Sequence, residues 1–232
     1  MAMTECRTEQ LRVPDGSELQ LTIVEPESVV RGGIVVFHEA RGITDTVRTL
    51  AEGLADEGWL ALVPHLYHSD GADQPTQYSA EQVHRHIERL SADSVLAHTD
   101  ASLGWLTARD VSTDRIGVLG FGLGGTVALI IATQRDLGAA VTIDGIGVIH
   151  PVCPALPAMV EVAPELRCPW LGVYGSNVVA QDEVGKLQDA VHSAQVATDL
   201  VFFTDTHRVD TVHSAGAEAW TRTLNWFDSH LR

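Results

Sequence analysis

Basic residues are scarce in this chain: Lys and Arg number 15 against 31 Asp and Glu, a formal net charge of -16 over 232 residues. That balance repels phosphate backbones and anionic bilayers, so nucleic acid and membrane surfaces are excluded as expected partners. Cysteine is scarce too. The three thiols, Cys6, Cys153 and Cys168, are odd in number and far apart, with no C-x-x-C pair, which excludes a disulfide framework and a zinc knuckle. No apolar run is long enough to span a bilayer, and the opening stretch MAMTECRTEQLRVPDG has neither the basic start nor the apolar core of a signal peptide. A cytosolic protein is expected.

What is present is enough apolar sequence for a core. Hydrophobic residues make up 45% and charged residues 20%, within the globular range, and the length suits one sizeable α/β domain over 1–232. Short β-branched runs recur at 33–38 (GIVVFH), 59–64 (WLALVP), 116–121 (IGVLGF), 139–143 (AAVTI), 169–174 (PWLGVY) and 199–204 (DLVFFT). Their hydrophobicity is continuous rather than alternating, so both faces of the sheet must be covered. Between them, apolar residues fall at helical spacing: Val47, Leu50, Ala51 and Leu54; Val83, Ile87 and Leu90; Val184, Leu187 and Val191; Ala217, Trp220, Leu224, Phe227 and Leu231. The alternation predicts a mostly parallel central sheet flanked by helices on both faces, with LQLTIVEP as an antiparallel edge strand. Two long loops, 68–79 and the proline-spaced 145–169, follow strands and are placed to shape a crevice at their carboxyl ends.

The segment VLGFGLGGTVALIIA, residues 118–132, puts a burst of glycines between a strand and a helix. It admits two readings. Gly120, Gly122 and Gly125 satisfy G-x-G-x-x-G, and Asp144 ends the next strand where a ribose-binding acid belongs, so a dinucleotide could lie along the turn. Alternatively the small residues flank a sharp strand-to-helix turn that lifts a nucleophile over the sheet, and the tip of that elbow is Gly122.

Two further strand ends carry chemistry. GIVVF runs into HEARG (38–42) and DLVFF into TDTHR (204–208), placing an acid and a histidine at carboxyl ends of different strands. The chain order acid, elbow, histidine, together with VVFHEARGITDTVRTLAEGLADEGWLALVPHLYH and the terminal AEAWTRTLNWFDSHL, resembles the dienelactone hydrolase family of α/β-hydrolases from about residue 20 to the end. The resemblance implies an α/β-hydrolase fold and no cofactor or metal. It also implies a small-molecule ester, lactone or carboxylate as ligand, with a Cys at the elbow tip, a His that generates its thiolate, an Asp that orients the His and a Glu beside the thiol. Residue by residue, Glu39 matches the Glu, His207 the His and Gly122 the nucleophile position. Backbone amides of Ala40 and Leu123 match the oxyanion donors, and Arg41 and Arg208, next to the Glu and His, are candidates to pair with a ligand carboxylate.

The chain departs from the family pattern where it matters most. Gly122 cannot attack a carbonyl or hold an acyl group. No residue fits the orienting acid cleanly, with Asn177, Asp182 and Asp205 as alternatives. Removing only the nucleophile from a triad lowers kcat by roughly 10⁶, while the oxyanion hole and binding alone retain roughly 10³ to 10⁴ over water. Impaired hydrolysis on a hydrolase fold is therefore expected, with a non-catalytic ligand-binding or interaction module on the same fold, and a dinucleotide-binding protein, as the alternatives. Other histidines suggest less. His38, adjacent to Glu39 on a strand end, should face the opposite way and pack; His65 and His68 lack a third metal ligand; His84 and His86 point to different helix faces. Cys153 or Cys168 as a relocated nucleophile has nothing to bring it near His207.

Overall fold

The computed structural model describes residues 6–66, 79–175, 178–203 and 216–232, with the side chains of residues 80 and 86 left out. Eight strands form one sheet: β1 (Cys6–Arg12), β2 (Glu18–Val24), β3 (Gly32–Phe37), β4 (Trp59–Pro64), β5 (Ile116–Phe121), β6 (Ala139–Ile143), β7 (Trp170–Gly175) and β8 (Thr198–Phe203). The order across the sheet is β1-β2-β4-β3-β5-β6-β7-β8, with β1/β2 and β2/β4 antiparallel and every other pair parallel. Strands β3 to β7 are buried along their whole length, as their continuous apolar runs require. LQLTIV is antiparallel as expected, but β1 covers its outer side and takes the edge. The CRTEQLR sequence of β1, with exposed and half-buried residues in alternation, is the polar pattern of a strand that borders water.

Helices cover both faces. α1 (Asp45–Asp56) and α7 (Ala217–His230) bury Val47, Leu50, Leu54, Ala219 and Phe227 against Ile34, Val36, Leu119 and Val141. On the other face, α3 (Ala92–Thr107), α4 (Leu123–Gln134), the short α5 (Met159–Val162) and α6 (Gln181–Val191) pack on Val35, Phe37, Val118 and Ala140. α2 (Ala80–Arg89) precedes α3 and begins with a capping box in which Ser79 and Gln82 satisfy each other's backbone amides. The proline-spaced 145–169 segment contains α5 and a 3₁₀ turn at Ala163–Glu165 rather than loop throughout.

This topology fixes where a site can form. From β3 the chain steps outward to β4, then returns past β3 to β5, so the winding direction reverses between β3 and β5. A crevice opens at that switch point, beyond the carboxyl ends of the strands. Glu39 follows β3 and Gly122 follows β5.

Candidate active site

Gly122 caps α4 with φ 53° and ψ -117°, a conformation that side chains rarely adopt. The turn is held from all sides. Gly122 N–H donates to Ile143 O at 3.0 Å, and its carbonyl accepts from Gly125, Thr126 and Ile146 N–H at 3.0, 3.2 and 3.4 Å. Behind it a buried chain of donors braces the helix start: Trp170 Nε1 donates to Thr142 Oγ1 at 3.0 Å, and Thr142 Oγ1 donates to Gly125 O at 3.0 Å. Thr126 Oγ1 donates to Ile146 O at 2.5 Å, pinning the segment after β6 to α4.

The neighbouring glycines are there for the chain's own packing. A β-carbon on Gly120 would lie 1.9 Å from Gly124 O, one on Gly124 would lie 2.1 Å from Phe37 O, and one on Gly125 would meet Gly145 Cα at 3.1 Å. The backbone itself occupies the approaches that a G-x-G-x-x-G loop leaves to pyrophosphate. The spacing small, Phe121, tip, Leu123, small is that of a nucleophile elbow.

Glu39 stands over the tip. A β-carbon at residue 122 would lie 3.3 Å from Glu39 Cγ and 3.4 Å from its Oε1. Among the described residues the Glu39 carboxylate makes no hydrogen bond and no ion pair. A cleft of about 220 Å³ joins the two, lined by Glu39, Ala40 and Arg41 after β3, by Phe121, Gly122 and Leu123 of the elbow, and by Ile143, Asp144 and Ile146 after β6. Val83 and Ile87 of α2 and Val178 complete its apolar wall. A second cleft of about 150 Å³ shares Glu39, Arg41 and Phe121 and extends along Thr44, Thr46 and the first turns of α1.

Comparison with known proteins identifies the family. Residues 19–231 match the model of the dienelactone hydrolase family. The chain belongs to that family. It is 28% identical over 214 residues to the "Putative carboxymethylenebutenolidase" of Escherichia coli (strain K12), covering 85% of this chain and 76% of that protein. A solved structure from Klebsiella pneumoniae subsp. pneumoniae superposes with a TM-score of 0.84 at 22% identity, over 97% of this chain and 100% of that one. Dienelactone hydrolase from Anabaena variabilis does so with a TM-score of 0.73 at 19% identity, over 99% of each chain. The fold is that of the α/β-hydrolases.

Of the residues expected from the sequence, Glu39, Ala40, Arg41, Gly122 and Leu123 come together in the cleft. His207 and Arg208 lie outside the described residues, as do Asn177, Asp205 and His68. Asp182 is exposed in the first turn of α6 and does not line the cleft. The carboxylate that does line it, besides Glu39, is Asp144 at the end of β6. It is held at φ 49° with Oδ1 accepting Gly175 N–H at 2.7 Å. Its sequence signal is an acid closing the strand next to the elbow, a position that the glycine spacing reads as ribose-binding and the structure places in the cleft. Burial, reinforced by the nearby Asp144 charge, raises the Tyr174 phenol above its usual range, so that residue stays neutral behind the site.

Among the other candidates in the described residues, His38, His65, Cys153 and Cys168 are buried. His38 is 1% exposed; its Nε2 accepts Leu66 N–H at 3.3 Å, so its Nδ1 carries the proton donated to Glu39 O at 2.8 Å. This bond ties the β4 exit to the backbone of Glu39. His65 bonds Thr22 Oγ1 at 2.8 Å, and His84 pairs with Glu88 on the exposed face of α2. Cys153 and Cys168 are buried and do not line the cleft, and burial raises the Cys168 thiol to about 12. No group of three or more potential metal ligands occurs among the described residues.

Proposed function

We propose that this protein is a carboxylic ester or lactone hydrolase by descent whose covalent step is weak or lost, with a cleft that receives a small ester, lactone or carboxylate ligand. The observation that carries this reading is Gly122 at the tip of an intact elbow, with the Glu39 carboxylate directly over it. The printed name of the E. coli relative, a carboxymethylenebutenolidase, supports the substrate class.

In this reading the Leu123 amide, in the first turn of α4 where backbone donors lack helical partners, faces a developing oxyanion, with Ala40 beside it. His207 takes the family's general acid–base role, and Asp144 takes the place of the orienting acid. Arg41, exposed at the mouth of both clefts and without an ion pair among the described residues, pairs with a ligand carboxylate, as does Arg208. No cofactor or metal is required. The protein acts in the cytosol, a reading supported by its acidic balance and unpaired thiols.

A non-catalytic binding module on the same fold is the second reading, favoured by the missing side chain at residue 122. Turnover of aryl esters and lactones by the wild type and by Gly122→Cys separates the two. The hydrolase reading expects Gly122→Cys to exceed the wild type by at least 10²-fold in kcat, because a thiol restores covalent catalysis to an otherwise assembled site. Wild-type turnover equal to that of Gly122→Cys overturns the proposal. Tight ligand binding with no turnover in either protein favours the module.

A further inference from the structure

We propose that the space over Gly122 is a water-activation site in which Glu39 is the general base of a slow, non-covalent ester hydrolysis. The inference rests on the hydrolase reading above and adds to it a reaction that needs no side chain at residue 122.

Three observations carry it. The Glu39 Oε1 lies 3.4 Å from where a β-carbon of residue 122 would stand, so the space that glycine leaves open at the tip faces the carboxylate, in a cleft lined by both residues, and a water entering that space meets Oε1 as its acceptor. Nothing among the described residues competes for that carboxylate, since it accepts no hydrogen bond and pairs with no cation, Arg41 included. The acceptor carbonyl has a fixed donor to lean on, because Leu123 N–H begins α4 at the wall of the same cleft, at the positive end of a 12-residue helix. Any side chain at residue 122 would project into the space facing Glu39.

The step balances as follows. As the water oxygen bonds to the ester carbonyl carbon, one water proton passes to Glu39, and the carbonyl electron pair moves onto its oxygen, where Leu123 N–H receives it. The tetrahedral adduct then re-forms the carbonyl and breaks the carbon–oxygen bond to the leaving group. The departing alkoxide takes the proton from Glu39. Ester and water become acid and alcohol, and the carboxylate is regenerated.

The test is steady-state and pre-steady-state hydrolysis of p-nitrophenyl acetate and dihydrocoumarin by the full chain, with Glu39→Gln, Glu39→Asp and Gly122→Ala, each checked for folding by circular dichroism. The expected wild-type result is turnover above background with no burst, because no acyl-enzyme forms. Glu39→Gln, isosteric and unable to take a proton, should lose at least 10²-fold and lose the acid limb of the pH–rate profile, while Glu39→Asp keeps part of the rate. Gly122→Ala, which puts a methyl group into the space between the tip and the carboxylate, should also lose it. A folded Glu39→Gln with the wild-type rate overturns the proposal. So does a wild type at background rate, even if Gly122→Cys turns over and the hydrolase reading stands. If Gly122→Cys is inactive as well, the hydrolase reading falls with it.

Discussion

At residue 122 the family's chemistry and the chain's stability pull in opposite directions. A nucleophile at an elbow tip must hold φ 53°, where any β-carbon is strained, and here it would also press within 3.3 Å of Glu39 Cγ. Glycine removes both costs and the nucleophile with them. Gly122→Ala should therefore destabilise the protein by about 1–3 kcal/mol, read as a lower midpoint in urea at unchanged m-value. An unchanged midpoint would mean that the turn relaxes freely and is not an elbow. The bracing behind the tip makes a separate demand. Thr142 Oγ1 accepts from Trp170 and donates to Gly125, whose carbonyl also lies within the α4 ladder, so Thr142→Val leaves the buried indole N–H unpaired and should cost about 1–3 kcal/mol by the same measurement.

At the level of elements, legibility followed how plainly each segment buries one kind of surface. β3 to β7 were readable within a residue because they are covered on both faces and so run apolar without interruption. α1, α2, α6 and α7 were readable from their single apolar stripes. α3 was not, because its buried face includes His98, Thr99 and Ser102 among Val95, Trp105 and Leu106. The two hydroxyls are satisfied by donating back to the helix carbonyls of Val95 and His98, so polar residues interrupt the apolar period. β1 was hidden for the related reason that an edge strand advertises polarity. In the site, Glu39, Gly122 and Leu123 could be placed from local motifs. Asp144 could be seen as a strand-end acid but not assigned to the cleft, because that depends on β6 lying beside β5, a pairing between segments that local pattern does not specify. The apolar wall contributed by Val83 and Ile87 depends likewise on where α2 docks.

For the whole molecule, the acidic balance and the paired layers give a protein whose thiols sort by depth. Cys6 is exposed on the edge strand, whereas Cys153 and Cys168 are buried. A native sample treated with an aromatic disulfide reagent should therefore show rapid reaction at Cys6 alone, with the other two released on denaturation. Burial holds the Cys168 thiol at about 12, above its ordinary value of 9.0, so the folded state keeps a proton that the unfolded chain gives up. The sign follows: this contribution is fully present below pH 9 and is lost as pH rises toward 12. Urea midpoints measured across that window should fall, and fall less steeply in Cys168→Ala. A midpoint slope identical in both proteins would place Cys168 in contact with water.

The most direct test of the elbow at residue 122 is peptide mapping by mass spectrometry after brief exposure of the wild type and Gly122→Cys, or Gly122→Ser should the thiol variant fold poorly, to p-nitrophenyl acetate. Acetylation confined to residue 122 in the variant, with Cys153 and Cys168 unmodified and no adduct on the 118–132 segment of the wild type, is the predicted result. A variant that folds and binds the ester yet stays unacylated at residue 122, or a wild type that carries the acyl group elsewhere in the cleft, would contradict it.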